Sequence, residues 1–199
     1  MQNYFGCEDM AGFPETYQTL KAKFGIEPTG TIDFNLKQFE TLNHYLNFNL
    51  RGSFVIKHIN CDSYILFIQT QVKNIGKGFI AGVTGQQTWG LAYLKRDFGR
   101  VLIRRETLAD KILELVHPVE LDFEEDKAFS DTFYVLVNDR EKARQAIDRN
   151  FRNAVMDIRH EDFVIEIVEH TLFIGNQQSI SPEKASYLAE FVARVASIC

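Results

Sequence analysis

The run Tyr-Ile-Leu-Phe-Ile-Gln-Thr-Gln-Val at 64–72 constrains the fold more than any other stretch of this chain. β-Branched and aromatic residues favour an extended backbone. Successive side chains of a strand point to opposite faces of the sheet, so an apolar first half makes both faces apolar there. That pattern predicts a central strand. Residues 53–59, Ser-Phe-Val-Ile-Lys-His-Ile, read as a strand before it. Arg51-Gly52 and Asn60-Cys61-Asp62-Ser63 read as turns by composition. After it, Gly76, Gly78, Gly82, Gly85 and Gly90 interrupt two weaker strands near 78–83 and 88–94, which implies bulges, bends or close approach of another chain. A strand near 100–104 precedes a helix over 106–116, with Leu108, Ile112 and Leu115 on one face and His117-Pro118 as its end.

The C-terminal third has a clear order. Asp131–Val137 is a strand, and Asn138 with Glu141 three residues on reads as a capping box. The helix that follows carries Ala143, Ala146, Ile147, Phe151, Ala154 and Val155 on one face. Residues 162–169 and 171–175 form a hairpin turning at Glu169-His170. Ser181-Pro182-Glu183 starts a last helix whose buried stripe is Ala185, Leu188, Val192 and Val195. Upstream, Pro14 opens a helix with Tyr17, Leu20 and Phe24 on one face and Gly25 as its stop. The stretch 35–46 admits a helix through Leu36, Phe39, Leu42 and Leu46, or a strand through Leu46, Phe48 and Leu50. Strands outnumber helices and connections are short, so the expected class is α+β: an antiparallel sheet with helices mainly on one face. The expected division is a helical or extended elaboration over 1–50 and an α+β domain over 51–199, together one globular unit. Phe151→Ala is expected to cost about 3–5 kcal/mol and Phe79→Ala clearly less.

Charge and cysteine content remove several function classes. The 199 residues carry a net charge of −5, which gives no global attraction to nucleic acid or anionic lipid. Lys95, Arg96, Arg100, Arg104 and Arg105 are the densest basic run, and no aromatic RNA motif accompanies them. Nucleic acid is not an expected partner. Cys7, Cys61 and Cys199 are far apart and odd in number, so neither a disulfide framework nor a thiolate zinc site is expected. The N-terminus has no basic and apolar leader pattern, and no run reaches the ~20 apolar residues of a membrane span. The expected compartment is the cytoplasm.

The motifs of catalysis are tested against the residues in turn. Gly82–Gly90 lacks the Lys-Ser/Thr of a P-loop and the Gly-x-Gly-x-x-Gly of a dinucleotide loop, and reads as a bulged hairpin carrying a half-exposed Trp89. Trp89 and Tyr93, four apart on a strand, face the same way and are the candidate ligand-contacting aromatics. Glu120, Asp122, Glu124, Glu125, Asp126 and Asp131 form an acidic belt without the glycine of a calcium loop. Alternation of Val119, Leu121 and Phe123 marks that belt as a strand with one face in water, and its functional reading is a surface for a basic partner. Asp157, His160 and Glu161 are the nearest approach to an acid/base group, with Asp162 beside them. His58 lies three residues before Cys61, with no third group to orient it. No metal site and no cofactor is expected.

From Asp97 to Ser197 the chain also resembles a family of bacterial proteins built on a domain without an assigned function. The residues that carry the likeness are Asp122-Phe123-Glu124, Phe129-Ser130, Phe133-Tyr134-Val135, Asp139, Leu172-Phe173-Ile174 and Pro182-Glu183. In many members the domain follows transmembrane helices and sits in the cytoplasm; this chain departs from that pattern, since residues 1–50 contain no span, and what the resemblance implies is the fold. It implies no catalytic residues. The leading expectation is a non-catalytic cytoplasmic domain that binds a protein partner. The alternatives are a small-molecule or lipid-binding module with an apolar cavity, and an enzyme of unrecognised type.

Overall fold

The computed structural model describes residues 7–59, 61–76, 79–105 and 118–198, with the backbone alone in 72–76 and 79–83. The helix expected over 106–116, the side chain of Phe79 and Cys199 lie outside the described residues. Nine strands form one antiparallel sheet: β1 Glu27–Pro28, β2 Asn47–Ile56, β3 Ser63–Gly76, β4 Phe79–Tyr93, β5 Arg100–Arg105, β6 Val119–Glu120, β7 Phe133–Val137, β8 Val164–Val168 and β9 Thr171–Gly175. The helices among the described residues are α1 Phe13–Phe24, α2 Glu40–Asn43, α3 Lys127–Ser130, α4 Arg140–Ala146, α5 Arg149–Asp157 and α6 Pro182–Ile198. The class is the expected α+β. Across the sheet the order is β1-β2-β3-β4-β9-β8-β5-β7-β6, so the β8–β9 hairpin lies between β4 and β5.

Period-two alternation divides the sheet into two faces. On the first, Ile65 and Phe67 of β3, Ile165 and Ile167 of β8, and Val135 and Val137 of β7 belong to one buried core. Helices α1, α4, α5 and α6 cover it with the stripes the sequence marks, including Phe151, Ala154, Leu188 and Val192. Helix α6 crosses β3 and β4 and packs on α1 and α5. It approaches closely because Gly90 lies beneath it: a Cβ there would come within 2.6 Å of Val192 Cγ1. Pro182 at its first position and the Lys184 amide donating to Ser181 Oγ at 3.5 Å define its start. On the second face, a segment from Phe34 to Tyr45 covers Leu66, Ile68, Leu91 and Phe173.

Several local expectations are corrected. Arg51-Gly52 is no turn but sits inside β2, where the register shifts between Leu50 and Gly52. A bulge absorbs the extra residue there. The strands expected at 78–83 and 88–94 are one strand, β4, paired with β3 from Gly76↔Phe79 to Ser63↔Ala92. Asp139, not Asn138, caps α4, its carboxylate accepting from the Lys142 amide at 3.0 Å. The Asn138 side chain accepts instead from the Arg100 amide at 2.7 Å and ties β7 to β5. The helix expected from there to Val155 is two helices. Asp148 caps the second by accepting from the Phe151 amide, and Arg152 Nη1 donates to the Ile147 carbonyl freed at the break. All six predicted core residues of the pair remain buried. The open question at 35–46 resolves as both readings in sequence: a 3-10 turn at Leu36–Gln38 and helix α2, then strand from Asn47. Strand β6 is shorter than the acidic belt, and its Val119 is exposed while Leu121 and Phe123 are buried.

The β3–β4 hairpin outruns its neighbours. Pairing with β2 stops at Asn47↔Gln71, and pairing with β9 starts at Trp89↔Gly175. The pairs from Val72↔Val83 to Gly76↔Phe79 form a two-stranded ribbon with no third strand among the described residues.

Candidate functional site

The second face is held down by one buried carboxylate and one aromatic stack. Glu166 projects from the centre of β8 and is 2% exposed. Its carboxylate accepts from the Glu40 amide (3.0 Å), the Thr41 amide (2.9 Å) and Thr41 Oγ1 (2.8 Å) at the start of α2. Arg100 Nη1 donates to it at 3.2 Å, while Arg100 Nη2 donates to the Gln38 carbonyl. Burial raises the Glu166 carboxyl above the usual carboxylate range, against the opposing pull of these hydrogen bonds and of Arg100. Beside it Phe39 stacks on Phe173 at 4.6 Å, and Phe173 on Trp89 at 4.4 Å. Glu166 is thus a structural pin for the segment that covers this face.

A cleft of about 230 Å³ opens at the end of that segment, lined by Thr41, His44, Trp89, Asp162, Val164, Asn176, Gln177 and Gln178. Its floor follows from the register. Trp89 of β4 and Val164 of β8 both face Gly175 of β9, so the middle strand has no side chain in that row. No side chain fits there, because a Cβ on Gly175 would lie 2.3 Å from the Trp89 ring. Trp89 itself is buried, not half-exposed as expected, with its indole N–H donating to Gln87 Oε1 at 3.0 Å. Gln87 Nε2 in turn donates to the Tyr45 hydroxyl at 2.8 Å. His44 lies against the Tyr45 ring, and burial lowers its pKa below the ordinary histidine value. Its Nε2 is 3.3 Å from Gln177 Nε2, the geometry of a neutral imidazole accepting from an amide. Asn176 Oδ1 accepts from the Gln178 amide, while its buried Nδ2 has no partner among the described residues.

The other candidates are distributed over the molecule. Tyr93 shares the face of Trp89 but meets Tyr64 edge-on at the rim, with Leu91 between the two candidates. In the acidic belt, Asp126 caps α3 and accepts from Arg152 Nε at 2.9 Å. Glu125 is 3.5 Å from Arg152, and Glu120, Asp122 and Glu124 are exposed. Asp157 pairs with Arg194, His160 is exposed, and Glu161 is half-buried. Among the described residues no group of three or more His, Cys, Asp or Glu is placed to hold a metal ion. Cys61 donates to the Tyr93 carbonyl at 3.4 Å. Burial pushes the Cys7 thiol up to about 12, which keeps it protonated and unreactive. Glu166, His44 and Asn176–Gln178 are the residues that sequence reading passes over. The only signal for Glu166 is a lone acid between two isoleucines of a strand.

With this geometry in hand, comparison with known proteins yields one likeness of fold. The chain is similar to the crystal structure of the mycobacterial trehalose monomycolate transport factor A, TtfA, with a TM-score of 0.59 and 10% sequence identity over 94% of each chain. No family model matches the sequence, and comparison with curated proteins finds no match. Among the described residues no helix is long and apolar enough to cross a membrane.

Proposed function

We propose that this chain is a non-catalytic binding domain that receives an extended segment of a protein partner along its β3–β4 ribbon. The ribbon carries the proposal. A two-stranded hairpin is marginal in water, and it gains when a third strand satisfies its open N–H and C=O groups. Edge strands that must stay unpaired are blunted by charge or proline. Residues 72–76 and 79–83 contain one lysine and no proline. The fold likeness to a transport factor is in keeping with an accessory role. The commitment of Glu166 to backbone amides, and the dispersal of Asp157, His160 and Glu161, favour binding over catalysis.

The test replaces Lys73–Gly82 by Asn-Gly between Val72 and Val83, which face each other in register. The trimmed protein is expected to keep its urea midpoint. A photocrosslinker placed at Lys73 in cells is expected to trap one partner, and hydrogen exchange of the purified pair to show amides 79–83 protected. The same partner recovered by the trimmed protein overturns the reading. So does a crosslink only to a second copy of this chain, with a dimer that trimming abolishes.

A further inference from the structure

We infer that the cleft beside Trp89 is a binding site for a neutral polyhydroxylated ligand of about monosaccharide size. The inference stands apart from the ribbon and does not depend on it. The cleft is built rather than incidental: Gly175 lets the Trp89 ring lie over β9 beside Val164 as its floor, and the pinned segment bearing Thr41 and His44 walls it. Its lining holds no Lys or Arg, so an anion finds no countercharge. Its one carboxylate, Asp162, lies 3.6 Å from Arg105 Nη1, outside the lining, which offsets the attraction for a cation. What remains is three carboxamides, a threonine hydroxyl and a neutral imidazole around an indole.

Carboxamides offer a donor and an acceptor on one rigid plane, and a hydroxyl group can answer both. A sugar ring, with an apolar face for Trp89 and Val164 and hydroxyls for the carboxamides, therefore matches this set better than an amine or a carboxylate does. The unpartnered Asn176 Nδ2 names the first contact. A buried donor without an acceptor costs about 1–3 kcal/mol, which a ligand hydroxyl accepting from it would recover. At about 230 Å³ the cleft has room for one sugar ring and none for an acyl chain.

Trp89 is the chain's single tryptophan, so its emission reports on this cleft alone. Titration of the whole chain with glucose and with galactose, up to ~100 mM to reach weak affinities, is expected to shift that emission and the Asn176 side-chain amide resonances. Inorganic phosphate and choline are expected to shift neither. Asn176→Asp, which replaces the donor by an acceptor, is expected to weaken binding about tenfold. Gln178→Ala, at an exposed position, is expected to weaken it less and keeps the test valid if the first variant does not fold. The inference is overturned by silence of both probes with both sugars, by a response to phosphate or choline, or by affinity unchanged in both variants.

Discussion

Among the described residues helices α1, α4, α5 and α6, with the short α3, cover one face of the sheet, whereas the other is covered by a segment containing little more than a 3-10 turn and one turn of helix. The first arrangement follows from apolar periodicity. The stripes of α5 and α6 and the alternation of β7 and β8 fit by area alone, and the hydrophobic effect needs no direction. The second has too few regular hydrogen bonds of its own, so a charged side chain from the sheet supplies them. Burial of area is generic, while a carboxylate that caps a short helix from another element is specific to one register. The first face therefore carries global stability and the second carries shape.

Phe151→Ala gives the largest effect. The ring is fully buried on the helix-covered face and lies 5.2 Å from Phe98, so its loss is expected to cost about 3–5 kcal/mol in urea melts. A loss below 1 kcal/mol would show that this face repacks freely and would remove the contrast.

Glu166→Gln sharpens the contrast from the other side, with an expected cost of about 1–3 kcal/mol. Its signature is local: protease cleavage within 34–45 should quicken while the amides of β3 stay protected. The pH dependence has a definite sign. Burial makes Glu166 easier to protonate in the folded chain, so its contribution to stability falls as pH rises from the ordinary glutamate value through the raised one. The wild type's advantage over Glu166→Gln should be greater at about pH 5 than at about pH 7. The reverse order would mean that Arg100 and the amides outweigh burial.

Asp157→Asn should do least, within about 0.5 kcal/mol, because its pairing with Arg194 is a surface one. A larger loss would give the exposed end of α5 a role that neither face predicts.

These differences also explain what was legible in the sequence. From Phe133 to Ile198 the strand, the hairpin and the last helix were readable, though not the break that splits the middle helix in two, because period two and period 3.6 leave plain traces in Val135, Ile167, Leu188 and Val192. The cover of the second face was not, since its pin is a single Glu, and the amides that it holds lie 125 and 126 residues away. Backbone partners leave no residue-type signature. Trp89 was misjudged for a related reason: a glycine-rich neighbourhood suggested exposure, while Gly175 and Gly90 are there to let a ring and a helix come close. The floor of the cleft depends on the Trp89 ring lying over Gly175, a juxtaposition that composition cannot announce.

The placement of β8 and β9 between β4 and β5 bears on how the chain is made. On a ribosome the four strands β2 to β5 emerge long before residues 164–175, yet β4 and β5 have no pairing with each other and must wait for that late hairpin to join them. Until then two apolar half-sheets coexist, each with an open flank. Closure needs contacts of long sequence separation, which slows folding and prolongs exposure to aggregation. A chain cut short before residue 164 cannot close its sheet, because it lacks the hairpin that joins β4 to β5.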